Sequence, residues 1–423
     1  MRHMQGELIT IGNELVSGLV TNTNAAYIGR VLLAAHFPLR WVTVVGDDQE
    51  DIVAAIRQAL TRASFVIITG GLGPTDDDLT VPAAAKALQL NLRRDPCSWE
   101  VLSQHLKEKN LQMTSRIAKM ADLPEGAQRI DLQRPRAGFY LRHLAKPLFF
   151  LPGVPEEMID MMKEFVLPKL RSTFPLRQVY RWRHLRIFGL RESQVNDLLA
   201  DFSSRYPAMQ LGLLPVFPEV LLQLTIQAAS DNEAEAILQR AVARVRQQLG
   251  LHLYGEDDET MEKVVGRLLR ERRETVALAE SCTGGLISHL LTNVPGSSAY
   301  FEESLVTYSD SAKITSLQVP AETICRCSAV SAQTAEAMLN GLRQKSHATI
   351  MLAVTGYAGP EAGGSRVPVG TTFIALSYKN KFRLQRFRFS GSRSENKTLA
   401  AYTGLDWMRR AMIDDEFFNC EPA

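Results

Sequence analysis

Cysteine is scarce in this chain of 423 residues, with five copies at Cys97, Cys282, Cys325, Cys327 and Cys420 and no CxxC spacing. An odd, scattered set argues against a disulfide framework and fits a reducing compartment. Long apolar runs are missing too. None approaches the roughly 18 residues of a membrane span, so no membrane partner is expected. Neither sign of charge dominates: 48 Lys and Arg stand against 46 Asp and Glu, a net charge of +2. Such a balance leaves no electrostatic footprint for nucleic acid, and no basic stripe with interleaved aromatics is visible. The opening MRHMQGELITIG has no apolar h-region, so a cytoplasmic location is expected. What is present, 45% hydrophobic and 22% charged residues, is the composition of a globular protein large enough for two or three domains.

Periodicity organises the chain. Apolar runs at 7–12, 41–46 and 65–71 alternate with helical patterns, the clearest at 49–63, where Ile52, Val53, Ile56, Ala59 and Leu60 share one face. This alternation predicts a parallel sheet covered on both faces. From about 181 to 254 the texture changes to short extended runs and one long helix, a small α+β connector. The polar stretch GEDDET marks its end, and residues beyond it return to strand and helix alternation. The expected fold class is therefore α/β: two three-layer domains with mainly parallel sheets, residues 1–170 and 257–423, joined by a connector over 171–256.

The segment Thr69-Gly70-Gly71-Leu72-Gly73-Pro74-Thr75-Asp76-Asp77-Asp78-Leu79-Thr80 follows an apolar strand and precedes a helix, where open α/β sheets bind ligands. Its glycines allow close approach of backbone N–H groups to a phosphate. Asp77 and Asp78 suit either a metal or a helix cap. Together, ITIGNELVSG, TNTNAAYI, TGGLGPTDDDLT and PGVPEEM resemble the molybdopterin-binding-like domain at the front of CinA family proteins over residues 7–170. The resemblance implies nucleotide binding by Asn24, Gly70, Gly71, Gly73, Thr75, Asp77 and Asp78, and in some members a divalent-metal-dependent ADP-ribose pyrophosphatase. Two departures matter: Asn13 stands where the family has aspartate, a lost carboxylate that weakens a cation site, and residues 133–138 replace its usual Asn-x-x-Gly-Thr-Ala-x-Gly segment.

In the last third, strand-like TVALA runs into Glu280-Ser281-Cys282-Thr283-Gly284-Gly285 and a helix. A serine on such a turn serves either as a helix cap or as a nucleophile. A nucleophile needs a base. No histidine sits in a suggestive motif, and His289 falls in mid-helix. Lysine can substitute where burial keeps it neutral, and Tyr308 and Lys313 in VTYSDSAK are placed to reach the same sheet edge, although a solvated surface lysine is the alternative. Cys282 reads as a buried structural residue, and Cys325 and Cys327 as ordinary ones.

AESCTGG, PGSSAYF, VTYSDSAK, VTGYAGP and PVGTTF in this order resemble the CinA C-terminal domain, the nicotinamide mononucleotide deamidase family. The resemblance implies a serine/lysine amidohydrolase of pyridine nucleotide salvage: Ser281 attacks, Lys313 moves the proton and Tyr308 supports it. It also implies substrate contacts from Thr283, Gly284, Gly285, Thr355, Gly356, Gly359, Arg366 and Arg393, a KH-like connector, a homodimer and no cofactor for the amidase. Val367 and Lys397 depart from the family's Lys and Arg. The alternatives are pyrophosphatase chemistry in the front domain, or a non-catalytic nucleotide-binding protein.

Overall fold

A computed structural model describes residues 5–131, 138–174, 179–361 and 367–419. The chain divides into two compact units, residues 1–180 with 228–231, and residues 181–227 with 232–423.

In the first unit, β1 (Gly6–Ile11), β2 (Leu39–Val45) and β3 (Phe65–Thr69) alternate with α1 (Thr23–Ala34), α2 (Gln49–Arg62) and α3 (Thr80–Leu88). A hairpin of β4 (Phe139–His143) and β5 (Lys146–Leu151) and a two-residue strand at Gln128–Arg129 complete the sheet. Side chains alternate across it as the strand period requires. Ile9, Ile11, Val66 and Ile68 pack beneath Ile52, Ile56 and Ala59 of α2. Leu8, Phe65, Ile67 and Phe149 meet Ile28 and Leu32 of α1 on the opposite face. A charged residue is buried among them: Glu7 is fully buried, held by the Nε and Nη2 groups of Arg62 and by the Thr43 hydroxyl.

The connector sheet takes β6 (Val179–Ile187), β7 (Met209–Val216), β8 (Glu219–Ala228) and β9 (Leu253–Glu256) in the order β7-β8-β6-β9, with α4 (Asp231–Leu249) between β8 and β9. Both β7 with β8 and β9 with β6 pair antiparallel. After α5 (Met261–Arg272) come β10 (Val276–Glu280), α6 (Leu286–Thr292), β11 (Phe301–Val306), α7 (Asp310–Leu317) and α8 (Ala332–Lys345). Next are β12 (Ile350–Gly356), β13 (Thr371–Tyr378), β14 (Lys381–Arg388) and α9 (Arg393–Ile413), and the strand order is β11-β10-β12-β13-β14. Leu278, Leu352 and Ile374 face Val265, Leu269 and Leu405, whereas Ala277, Ala353 and Ala375 face Met338, Leu339 and Leu342 of α8.

The α/β class holds, but the expectation of mainly parallel sheets does not. Both large sheets are mixed. β2, β1, β3 and β5 run parallel, and β4 then turns antiparallel to β5. Likewise β11, β10 and β12 are parallel, and β13 and β14 are antiparallel. The reason lies in the links. β4 meets β5 through Leu144 and Ala145, and β13 meets β14 through Lys379 and Asn380, all four at positive φ. Two-residue turns of that kind join hairpins, whereas a parallel neighbour needs a crossover of a dozen residues or more.

Candidate functional site

The chemistry-bearing residues of the second unit gather where the parallel strands end. Ser281 follows β10 directly, and its N–H donates to Val354 O at 2.9 Å, which ties the turn to β12. The helix after it starts only at Leu286, with Gly285 as N-cap. Ser281 is therefore no helix cap, and its hydroxyl lies 3.1 Å from Lys313 Nζ. Gly284 and Gly285 have φ of 60° and 87°, left-handed values that a side chain disfavours, so the turn needs glycine.

A residue missed by the sequence reading secures this turn. Glu280 is fully buried, and its carboxylate accepts from Ile287 N–H at 3.2 Å, Ser288 N–H at 2.9 Å and the Ser288 hydroxyl. It thereby occupies donors left open at the start of α6. A glutamate at the end of an apolar strand was its one visible signal.

Lys313 is 1% exposed. Beyond Ser281, its amine donates to Thr307 O at 3.0 Å and Tyr308 O at 3.2 Å, and no carboxylate pairs with it among the described residues. Burial lowers its pKa below the ordinary lysine value, while the Asp310 charge acts in the opposite sense. With two carbonyls taking two N–H bonds, a neutral amine has its lone pair left for the serine hydroxyl. Burial pushes the Cys282 thiol up to about 12, so the neighbour of Ser281 carries no thiolate near neutrality.

Tyr308 takes a different position from the one its motif implies. The strand stops at Val306, and Tyr308 is 58% exposed. Its carbonyl meets Lys313, but its hydroxyl accepts from Arg393 at 2.6 Å. Arg393 also donates to Gly359 O. Ser281, Tyr308, Lys313, Thr355, Gly356, Gly359 and Arg393 all line one cavity of about 290 Å³, with Asp310, Tyr357 and Glu361. Thr355 contributes mainly structure there, since its hydroxyl donates to Ala329 O at 2.8 Å. Thr283, Gly284 and Gly285 lie outside this lining. A β-carbon built on Gly284 would come 3.5 Å from Lys397 Nζ, so this lysine reaches the serine turn. Arg366 lies outside the described residues.

In the first unit, Gly70, Gly71, Gly73, Asp77 and Asp78 line a second cavity of about 450 Å³. Neither aspartate caps α3, whose N-cap is Leu79. Asp78 instead accepts from the Thr75 N–H at 2.8 Å and from its hydroxyl. Asn24 donates to Gly153 O at 2.8 Å, and neither Asn24 nor Thr75 lines the cavity. The rest of the lining includes Glu14, Asp47 and Glu157 and, among the described residues, no lysine or arginine. Asp47 is engaged by the Asn13 N–H, and Asp76 by Arg116. Among the described residues, no three His, Cys, Asp or Glu side chains converge as a metal site. Residues 133–137 lie outside the described residues.

Fold and site thus define an α/β protein in which a serine on a strand-to-helix turn meets a buried lysine of α7. Family models match in three consecutive blocks: the probable molybdopterin binding domain over residues 7–172, the damage-inducible protein CinA KH domain over 182–255 and the CinA C-terminal domain over 258–412. A CinA-like protein of Syntrophobacter fumaroxidans is 40% identical over 418 residues, covering 99% of this chain and 98% of its own. A putative competence-damage inducible protein of Moorella thermoacetica is 38% identical, with coverage of 97% and 99%. The chain belongs to the CinA family. Among solved structures, a CinA superfamily protein from Klebsiella pneumoniae is 32% identical, covering 37% of this chain and 99% of that one, with a TM-score of 0.35.

Proposed function

We propose that the second unit hydrolyses the carboxamide of nicotinamide mononucleotide, giving nicotinic acid mononucleotide and ammonia in pyridine nucleotide salvage. The observation that carries this reading is the buried Lys313 amine, 3.1 Å from Ser281 Oγ and otherwise bonded only to carbonyls among the described residues. Neutral Lys313 accepts the hydroxyl proton as Ser281 Oγ attacks the amide carbon. Lys313 then returns that proton to the leaving nitrogen, the C–N bond breaks, and ammonia departs from an acyl-serine ester. Water attacks the ester, gives a proton to Lys313, and the C–O bond to Ser281 breaks as its oxygen regains that proton. The sum is amide plus water to carboxylic acid plus ammonia.

The charges around the cavity support a zwitterionic substrate. Arg393 suits a phosphate, whereas Asp310 and Glu361 on the same lining suit a pyridinium ring. Ser281→Ala should abolish ammonia release from nicotinamide mononucleotide while leaving the thermal midpoint within a few degrees. Unchanged turnover in that variant would sink the proposal.

A further inference from the structure

Behind the cavity wall lies a side chain whose hydrogen bonds are all directed at loops. Asn396, on the first turn of α9, is 2% exposed. Its Oδ1 accepts from Gly391 N–H at 2.9 Å, and its Nδ2 donates to Gly391 O at 2.9 Å and to Ala358 O at 3.0 Å. Only an uncharged amide offers this acceptor with two donors; a carboxylate would face two carbonyls. Three residues earlier, Arg393 reaches across the same gap to Gly359 O and to the Tyr308 hydroxyl. Two ties therefore join the start of α9 to consecutive carbonyls of the 358–359 loop, one buried and one facing the cavity.

Helix capping does not account for Asn396. Ser392 already caps α9, its hydroxyl accepting from Glu395 N–H, while the Glu395 carboxylate accepts from Ser392 N–H at 2.7 Å. The bonds of Asn396 serve the loops instead. Ordering an arginine side chain on binding costs rotamer freedom, and a wall held in advance removes part of that cost.

We propose that Asn396 is a positioning residue that holds Arg393 and the Ala358–Gly359 backbone as one preformed wall for the anionic group of the substrate. This rests on reading the cavity as an amide hydrolase site. Asn396 acts through Arg393 and the loop and touches neither Ser281 nor Lys313.

The test uses the full chain with Asn396→Asp and, should that variant fold poorly, Asn396→Ala. Four quantities are compared with wild type: kcat and KM for ammonia release, the rate at which a fluorophosphonate probe labels Ser281, and the Kd of nicotinamide mononucleotide in a Ser281→Ala background. KM and Kd should rise at least tenfold, with kcat and the labelling rate within threefold. Adding Arg393→Ala to either Asn396 variant should raise KM less than it does in wild type, because both act through one wall. An unchanged Kd, a labelling rate that falls by the factor by which KM rises, or full additivity would overturn the proposal. Wild type that binds the mononucleotide and labels at Ser281 but releases no ammonia would refute the deamidase reading, leaving the Kd comparison to decide the role of Asn396. Absence of binding would overturn both.

Discussion

Replacing Lys313 by methionine tests the central geometry most severely, because methionine fills nearly the space of the lysine stem and lacks the amine. General acid–base catalysis typically contributes 10²–10⁴-fold, so kcat/KM should fall by about that factor, or roughly 3–5 kcal/mol of barrier. Two carbonyls lose a donor. Thr307 is buried and Tyr308 exposed, so only the first loses its donor away from water, at about 1–3 kcal/mol. Against this stands relief from burying a lysine whose charged form is disfavoured. The sign of the pH dependence follows from that lowered pKa. Wild type has its full stability above the unfolded lysine value, near 10.4, and loses part of it as pH falls through the lower folded value. Urea unfolding from pH 6 to 10.5 should therefore show wild type gaining on Lys313→Met as pH rises. Ammonia release by wild type should climb along an acid limb set below the ordinary lysine pKa, and that limb should vanish in the variant. A methionine variant within tenfold of wild type, or a stability difference that is flat with pH, would refute the assignment of Lys313 as the proton carrier.

Asp310→Asn removes the charge that opposes the lowering of the Lys313 pKa, so the acid limb of kcat/KM should move to lower pH; a shift to higher pH would contradict the electrostatics of the cavity. Iodoacetamide at neutral pH should modify exposed Cys97 and Cys325 and spare Cys282 in the native protein, as peptide mass mapping would reveal. Glu280→Ala should cost about 2–3 kcal/mol in urea unfolding, since buried donors at the start of α6 lose their acceptor, and Ser281 labelling should slow; an unaffected labelling rate would separate Glu280 from the serine turn.

Much of the site was legible because strand-to-helix turns carry local signatures. An apolar run, small residues and a serine mark the position of Ser281, and left-handed φ at Gly284 and Gly285 explains why two glycines follow it. Lys313 could be singled out only by its motif. Nothing in its neighbourhood along the chain reveals that β11 and α7 carry it to 1% exposure beside a residue 32 positions earlier. Tyr308 shows the converse, because its backbone rather than its hydroxyl meets the lysine. Glu280 and Asn396 were passed over since a buried polar residue has the same letter as a solvated one, and only its partners distinguish the two.

The amino-acid sequence by itself determined the α/β class, the alternating faces of the strands and the glycine turns, because backbone preference and apolar periodicity act over a few residues. Tertiary structure alone decided the disfavoured charge of Lys313 and the double tie from α9 to the 358–359 loop. Each of those depends on which distant groups exclude water together, and desolvation is a property of the folded neighbourhood rather than of any residue in it.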